Sequence, residues 1–135
     1  MADSPGPETG GPADLPPSEE VADGIANELL NIHRQSYGAG AAKVVSHLID
    51  DTLVVLLDGL ELQPGERFLI ENGHAEVVAR MRHDYQAAIE PTFRAAVERA
   101  TGRRVRSFSS QVSLDDEQPY AVEVFRLDPS PPRDR

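Results

Sequence analysis

The chain has no cysteine, which excludes disulfides, thiolate nucleophiles and cysteine-based zinc sites together. Aromatic residues make up only 5%, too few to supply a stacking platform for single-stranded nucleic acid. Long apolar runs are also missing. The longest, residues 53–57, is far short of the roughly 18 to 20 residues that a membrane helix needs, so no membrane insertion is expected. The start, MADSPGPETGG, has no basic segment followed by an apolar one and does not read as a secretory signal. A cytoplasmic location is the expectation.

Basic residues are absent from the first 28 positions, where Asp3, Glu8, Asp14, Glu19, Glu20, Asp23 and Glu28 stand without any Lys or Arg. Residues 29–127 hold 11 basic and 14 acidic side chains, so most of the formal charge of -10 belongs to the leader. An acidic core for trapping cations is not supported. Five prolines and three glycines within residues 1–17 leave too little apolar surface to offset the entropy of ordering, which predicts a disordered tail. Residues 128–135 repeat the pattern with Pro129, Pro131 and Pro132. Between the tails, residues 18–127 suffice for a single domain with one hydrophobic core.

That domain says the same thing twice. A helix begins at Ser18, a good N-cap, and carries a stripe of Val21, Ile25, Leu29 and Ile32 with Ala22, Ala26, Leu30 and His33 beside it. It should stop near Tyr37, because Gly38 and Gly40 bracket a break. Residues 43–49 and 52–57 then read as two strands joined by Asp50 and Asp51, which tolerate the positive φ of a tight turn. The second strand is apolar on both faces and should be central or covered twice, with Gly59 ending it. Pro64 opens a short helix around residues 66–70, and Asn72 and Gly73 interrupt the chain again.

The longest helix follows, with Ala75, Val78, Met81, Tyr85, Ala88, Ile89, Phe93, Ala96, Val97 and Ala100 at helical spacing. Pro91 inside it predicts a kink near Ile89 or a restart. Glu76 with Arg80 and Glu90 with Arg94 have the i,i+4 spacing of ion pairs, and Gly102 is placed as the C-terminal cap. A second hairpin follows, residues 105–114 and 120–127, with Phe108, Ser110, Val112 and Leu114 sharing a face. The expected fold is α+β, in the order α-β-β-α-α-β-β: two helix-hairpin units forming a four-stranded, mainly antiparallel sheet with helices on one face.

No catalytic constellation stands out. His33, His47, His74 and His83 lack the i+3 or i+4 partners of a helical metal motif, so no metal and no cofactor is expected. His33 belongs at a core margin, His47 on a strand, and His74 and His83 in solvent. Asp50, Asp51 and Asp58 read as turn chemistry. Gly38 to Gly40 lie between a helix and a strand, the reverse of a phosphate loop. The serines Ser107, Ser109, Ser110 and Ser113 have no His and acid at triad spacing. Arg99, Arg103, Arg104 and Arg106 form the local basic cluster and are the candidate binding residues, for a partner or for a small anion. Nucleic acid is not the expected partner, because the whole chain is acidic and the arginines follow a helix C-terminus.

The run YGAGAAKVVSHLIDDTLVVLLDGLELQPGE, then IEPTFRAAVERATGRRV, FSSQVS and VEVFRLD, resembles the bacterial MpsC-like family over about residues 25–128. That family takes its name from a sodium-translocating membrane potential-generating system. The resemblance implies a small soluble bacterial protein associated with a membrane ion or bicarbonate-type transport system, and it carries over no catalytic residues. One departure is local. The family tends to place Thr before the Pro of the short helix, whereas this chain has Gln63, which gives up that cap, and Gly65 weakens the same helix.

Two functions compete on this reading. The first is a non-enzymatic accessory or regulatory module working through protein contacts, as a homodimer or with a protein of the membrane transport system. The second is a small-anion or nucleotide-type ligand-binding domain using Arg99 to Arg106 and the groove between the two units. The unequal halves separate scaffold from available surface: an apolar second strand suits the sheet centre in the first unit, while serines and charge suit an edge or interface in the second, so the dimer or ligand surface should involve the second.

Overall fold

A helix of 20 residues, α1 (Ser18–Tyr37), opens the computed structural model, which describes residues 18–114 and 117–129. The expected tails at 1–17 and 130–135, the side-chain cap at Ser18 and residues 115–116 of the second hairpin loop lie outside the described residues. The element order is then β1 (Ala41–Ile49), β2 (Thr52–Leu60), α2 (Pro64–Glu71), α3 (Ala75–Thr101), β3 (Val105–Ser113) and β4 (Tyr120–Leu127). It matches the order expected from hydrophobic periodicity.

The four strands form one antiparallel sheet in the order β1-β2-β4-β3. This order is symmetric about the seam between β2 and β4, so the two helix-hairpin units are arranged with a pseudo-twofold relation. The apolar β2 is central, as its composition required, and the serine-rich β3 is an edge. Helix α1 packs over β1 and β2, α3 packs over β3, and the two helices touch each other above one face of the sheet.

Pairing register explains the core. On the helix-covered face, one row runs Leu48, Leu53, Phe125, Phe108 and another runs Val44, Leu57, Ala121, Val112. Leu53, Leu57, Ala121 and Phe125 are buried there against Ile25, Leu29, Phe93 and Val97. Burying a side chain of that size stabilises the fold by roughly 1.5–3 kcal/mol each. Phe108 links the sheet to α3, standing edge-on to Phe93 at 6.4 Å and tilted against Phe125 at 4.9 Å.

Several local expectations change. β2 does not end at Gly59 but runs through it to Leu60, which pairs with Ala41; Gly59 itself sits at φ 66, where a Cβ would come within 3.1 Å of the Ala42 Cβ. α3 is continuous across Pro91, with no restart, and Gly102 caps it in the left-handed conformation, its N–H donating to the Glu98 carbonyl. Glu90 and Arg94 pair at 2.8 Å, whereas Glu76 lies 3.8 Å from His74 rather than against Arg80.

The buried stripe of α3 also differs from the apolar one. Val78, Arg82, Gln86, Phe93, Ala96 and Val97 are buried, while Met81, Ala88 and Ala100 are exposed. α2 forms in full despite Gly65. Glu66 reaches back to accept from the Gln63 amide at 2.9 Å, supplying the cap that Gln63 was expected to give up.

Candidate functional site

Polar side chains penetrate the core in two places. The first lies where α1, α2 and α3 meet. Arg82, 2% exposed, donates from Nε and Nη2 to the two oxygens of Glu66 at 2.8 and 2.9 Å, a bidentate pair, and Nη2 also reaches the Glu61 carbonyl at 3.0 Å. The Tyr37 hydroxyl donates to the same carboxylate, and the Arg82 guanidinium lies 4.6 Å from the Tyr37 ring centroid. Burial alone would raise the Glu66 pKa, but bonds from Arg82, Tyr37 and the Gln63 amide outweigh it and hold it below the usual carboxylate range. Burial and the bond to Glu66 together push the Tyr37 hydroxyl far up.

His33 and Tyr85 extend this knot. His33, expected at a core margin, is 2% exposed, and its Nδ1–H donates to the Ala39 carbonyl at 2.7 Å. Burial lowers its pKa against that bond, which keeps the ring neutral. The Tyr85 ring meets His33 and Tyr37 edge-on, and its hydroxyl donates to Ser36, whose own hydroxyl donates to the Ile32 carbonyl. The Glu66 carboxylate accepts from every side, so it has no lone pair aimed at a substrate. This cluster is a structural joint.

The second place has unmet chemistry. Between the two apolar rows of the sheet runs a third: Ser46, Val55, Glu123 and Ser110, in register across all four strands. Ser46 and Ser110 occupy equivalent places in the two units, as do Val55 and Glu123. Glu123 is fully buried, and neither carboxylate oxygen has a hydrogen-bond partner; the hydroxyls of Ser46 and Ser110 and Oε1 of Gln86 are likewise unpartnered. Burial pushes the Glu123 pKa up to about 7, and the neighbouring Ser110 hydroxyl offsets only part of that. A cavity of about 210 Å³ between α3 and β3 is lined by Ala79, His83, Gln86, Ser110, Gln111 and Val112. An adjoining one of about 260 Å³ shares His83, Gln86 and Ser110.

The basic cluster lies elsewhere, at the far end of α3. Arg99 pairs with Glu28 at 2.5 Å, Arg103 pairs with Asp51 and donates to the Asp128 carbonyl, and Arg106 lies 3.9 Å from Asp128. Arg104 is exposed, and its carbonyl accepts from the Asp128 amide. Three of the four arginines thus tie α3 and β3 to α1, the β1–β2 turn and the end of β4. His47, His74 and His83 are exposed, and among the described residues no three His, Asp or Glu side chains come together as metal ligands.

Sequence reasoning missed Glu123, Gln86 and Arg82, yet each had a signal. Glu123 shares the parity of Ala121, Phe125 and Leu127 on its strand. Arg82 and Gln86 continue the spacing that joins Val78 to Ile89 and Phe93. Polarity made them look like surface.

A four-stranded antiparallel sheet of symmetric order, with helices on one face and a polar row beneath them, defines a small α+β module of two helix-hairpin units. The chain belongs to the MpsC family, whose model, described as "Na+-translocating membrane potential-generating system (MpsC)", matches residues 18–128. No curated protein and no solved structure matches the chain. Among the described residues, no helix is long and apolar enough to cross a membrane.

Proposed function

We propose that the chain is a non-enzymatic, cytoplasmic accessory or regulatory module that works as a homodimer through protein contacts, in the setting of the membrane Na+ system its family is named for. One observation carries this reading: among the described residues, no helix packs on the second face of the sheet. There the register aligns Val45, Leu56, Val122 and Gln111 in one row and His47, Val54, Val124 and Ser109 in the next. Its centre is half-buried Val and Leu, and its rim is polar, the anatomy of an interface core with its surround.

The rim supports a second copy as the occupant. The end rows carry Lys43 beside Asp58 and Thr52 beside Arg126, so a twofold-related copy can set its Asp58 against a basic side chain of the first. Self-complementarity of this kind is what an isologous contact needs. In sedimentation velocity the wild-type chain should run as a dimer, and Leu56→Lys with Val124→Lys as a monomer of unchanged far-UV circular dichroism. A wild-type chain that stays monomeric at the highest concentration reached refutes the homodimer.

A further inference from the structure

Gln86 Oε1, Ser110 Oγ and both oxygens of Glu123 are buried and make no hydrogen bond of ordinary geometry, although the Ser110 hydroxyl is close enough to Glu123 to hold its pKa down in part. Native interiors leave few such atoms, because an unmet buried polar group costs about 1–3 kcal/mol and a charged one more. Ser110 stands directly opposite Glu123 in the β3–β4 register, and Gln86 and Ser110 line the same cavity. We propose that Glu123, Ser110 and Gln86 form a site for a small monovalent cation, an alkali-metal or ammonium ion, reached through the cavity between α3 and β3.

The donor set selects the occupant. Three of the four unmet atoms can only accept while Glu123 is ionised, so an anion is repelled and an apolar ligand leaves the oxygens unmet. A neutral donor meets the oxygens and leaves the carboxylate charge buried. Oxygen donors suit hard cations over thiophilic metals, and one carboxylate neutralises one positive charge. Divalent oxygen sites draw on more carboxylates, and Glu123 has no acidic neighbour in its row. The cavity of about 210 Å³ admits a partly hydrated ion, and His83 and Gln111 at its lining are exposed to solvent.

A proton is the competitor for the same carboxylate. The groups around Glu123 are Ser110, Val55 and Ser46 along its row and Tyr85 from α3, near enough to feel its charge, while Gln86 lines the cavity beside Ser110. None of them is a cation that could neutralise it in place. The cation binds the ionised form, so apparent affinity should fall by up to tenfold for each pH unit below about 7. The site lies on the opposite face of the sheet from the homodimer contact, and its cavity shares with that contact only Gln111, which stands at the edge of both.

The test is the melting temperature of the full chain in NaCl, KCl or NH₄Cl against N-methyl-D-glucamine chloride at equal ionic strength, at pH 8 and pH 6. At least one small cation should raise it saturably at pH 8, with a smaller gain at pH 6. Glu123→Gln, an isosteric change that removes the buried charge, should fold and lose the gain. Gln86→Leu, which keeps Glu123, should shift the saturation midpoint upward by tenfold or more, and His83→Asn should keep both the gain and its pH dependence. Equal melting temperatures in all four salts, or an unchanged gain in Glu123→Gln, overturns the proposal. Loss of the pH dependence in His83→Asn overturns the assignment of the titration to Glu123.

Discussion

Arg82 and Glu66 show how much a single buried residue can decide in a chain this small. Each is 2% exposed, and their bidentate contact joins α2 to α3 while Tyr37 brings in α1. Removing one partner leaves the other as an uncompensated charge in the core, which generally costs about 3–5 kcal/mol, far more than the net worth of the pair. Arg82→Met should therefore destabilise the chain by about 3–5 kcal/mol in urea unfolding, most of the stability of an ordinary small domain. Arg82→Met combined with Glu66→Leu should cost less than the sum of the single changes, by 1 kcal/mol or more. An additive result would mean that the two side chains do not depend on one another. The carboxylate at Glu66 titrates below the usual range, so its contribution is present at neutral pH and is lost as the pH falls through that depressed value.

At the scale of elements, boundaries and pairings were legible because local chemistry sets them. Asp50 at φ 54 makes the first hairpin turn, Gly102 at φ 68 ends α3, and Tyr37 ends α1 before the glycines. Those signals are backbone preferences, which act without knowledge of the rest of the fold. The faces of the elements were less legible. Met81 lies on the apolar stripe of α3 by spacing but is 42% exposed, whereas Arg82 takes the buried position because a carboxylate waits for it on α2. A partner 16 residues away leaves no trace in helical periodicity. Glu123 was hidden for a different reason: strand parity placed it inward, and charge argued it outward. The short helix α2 offers a test of local against tertiary control. Gly65 has open space around its Cβ position and an ordinary helical backbone, so Gly65→Ala should stabilise the chain by about 0.5–1 kcal/mol, raising the melting temperature by a few degrees. A neutral result would show that the Glu66 cap and the Arg82 pair already saturate the stability of α2.

At the scale of the whole molecule, the described residues form two layers, a sheet and the helices on one of its faces, with no helix on the other. α1 and α3 cover one face of the sheet, and the central strands β2 and β4 present Val54, Leu56, Val122 and Val124 on the other. These side chains are half-buried by their neighbours on the sheet, so they contribute less to the folded monomer than the fully buried Leu53, Val55 and Leu57 on the opposite face. Stability and association are thus written on different faces of the same strands, and the two can be separated. If a second copy covers the open face, folding is linked to concentration, and each tenfold rise adds about 1.4 kcal/mol to the dimer. The melting temperature of the wild-type chain should climb with concentration, while Leu56→Lys with Val124→Lys should melt at one temperature throughout. At the lowest concentration, where both chains are monomeric, the two should differ little, because the lysine stems can lie along the sheet with their heads in water. A variant that melts far below the wild-type chain even there would show that the open face carries folding stability of its own, and a flat wild-type curve would show that no second copy occupies it.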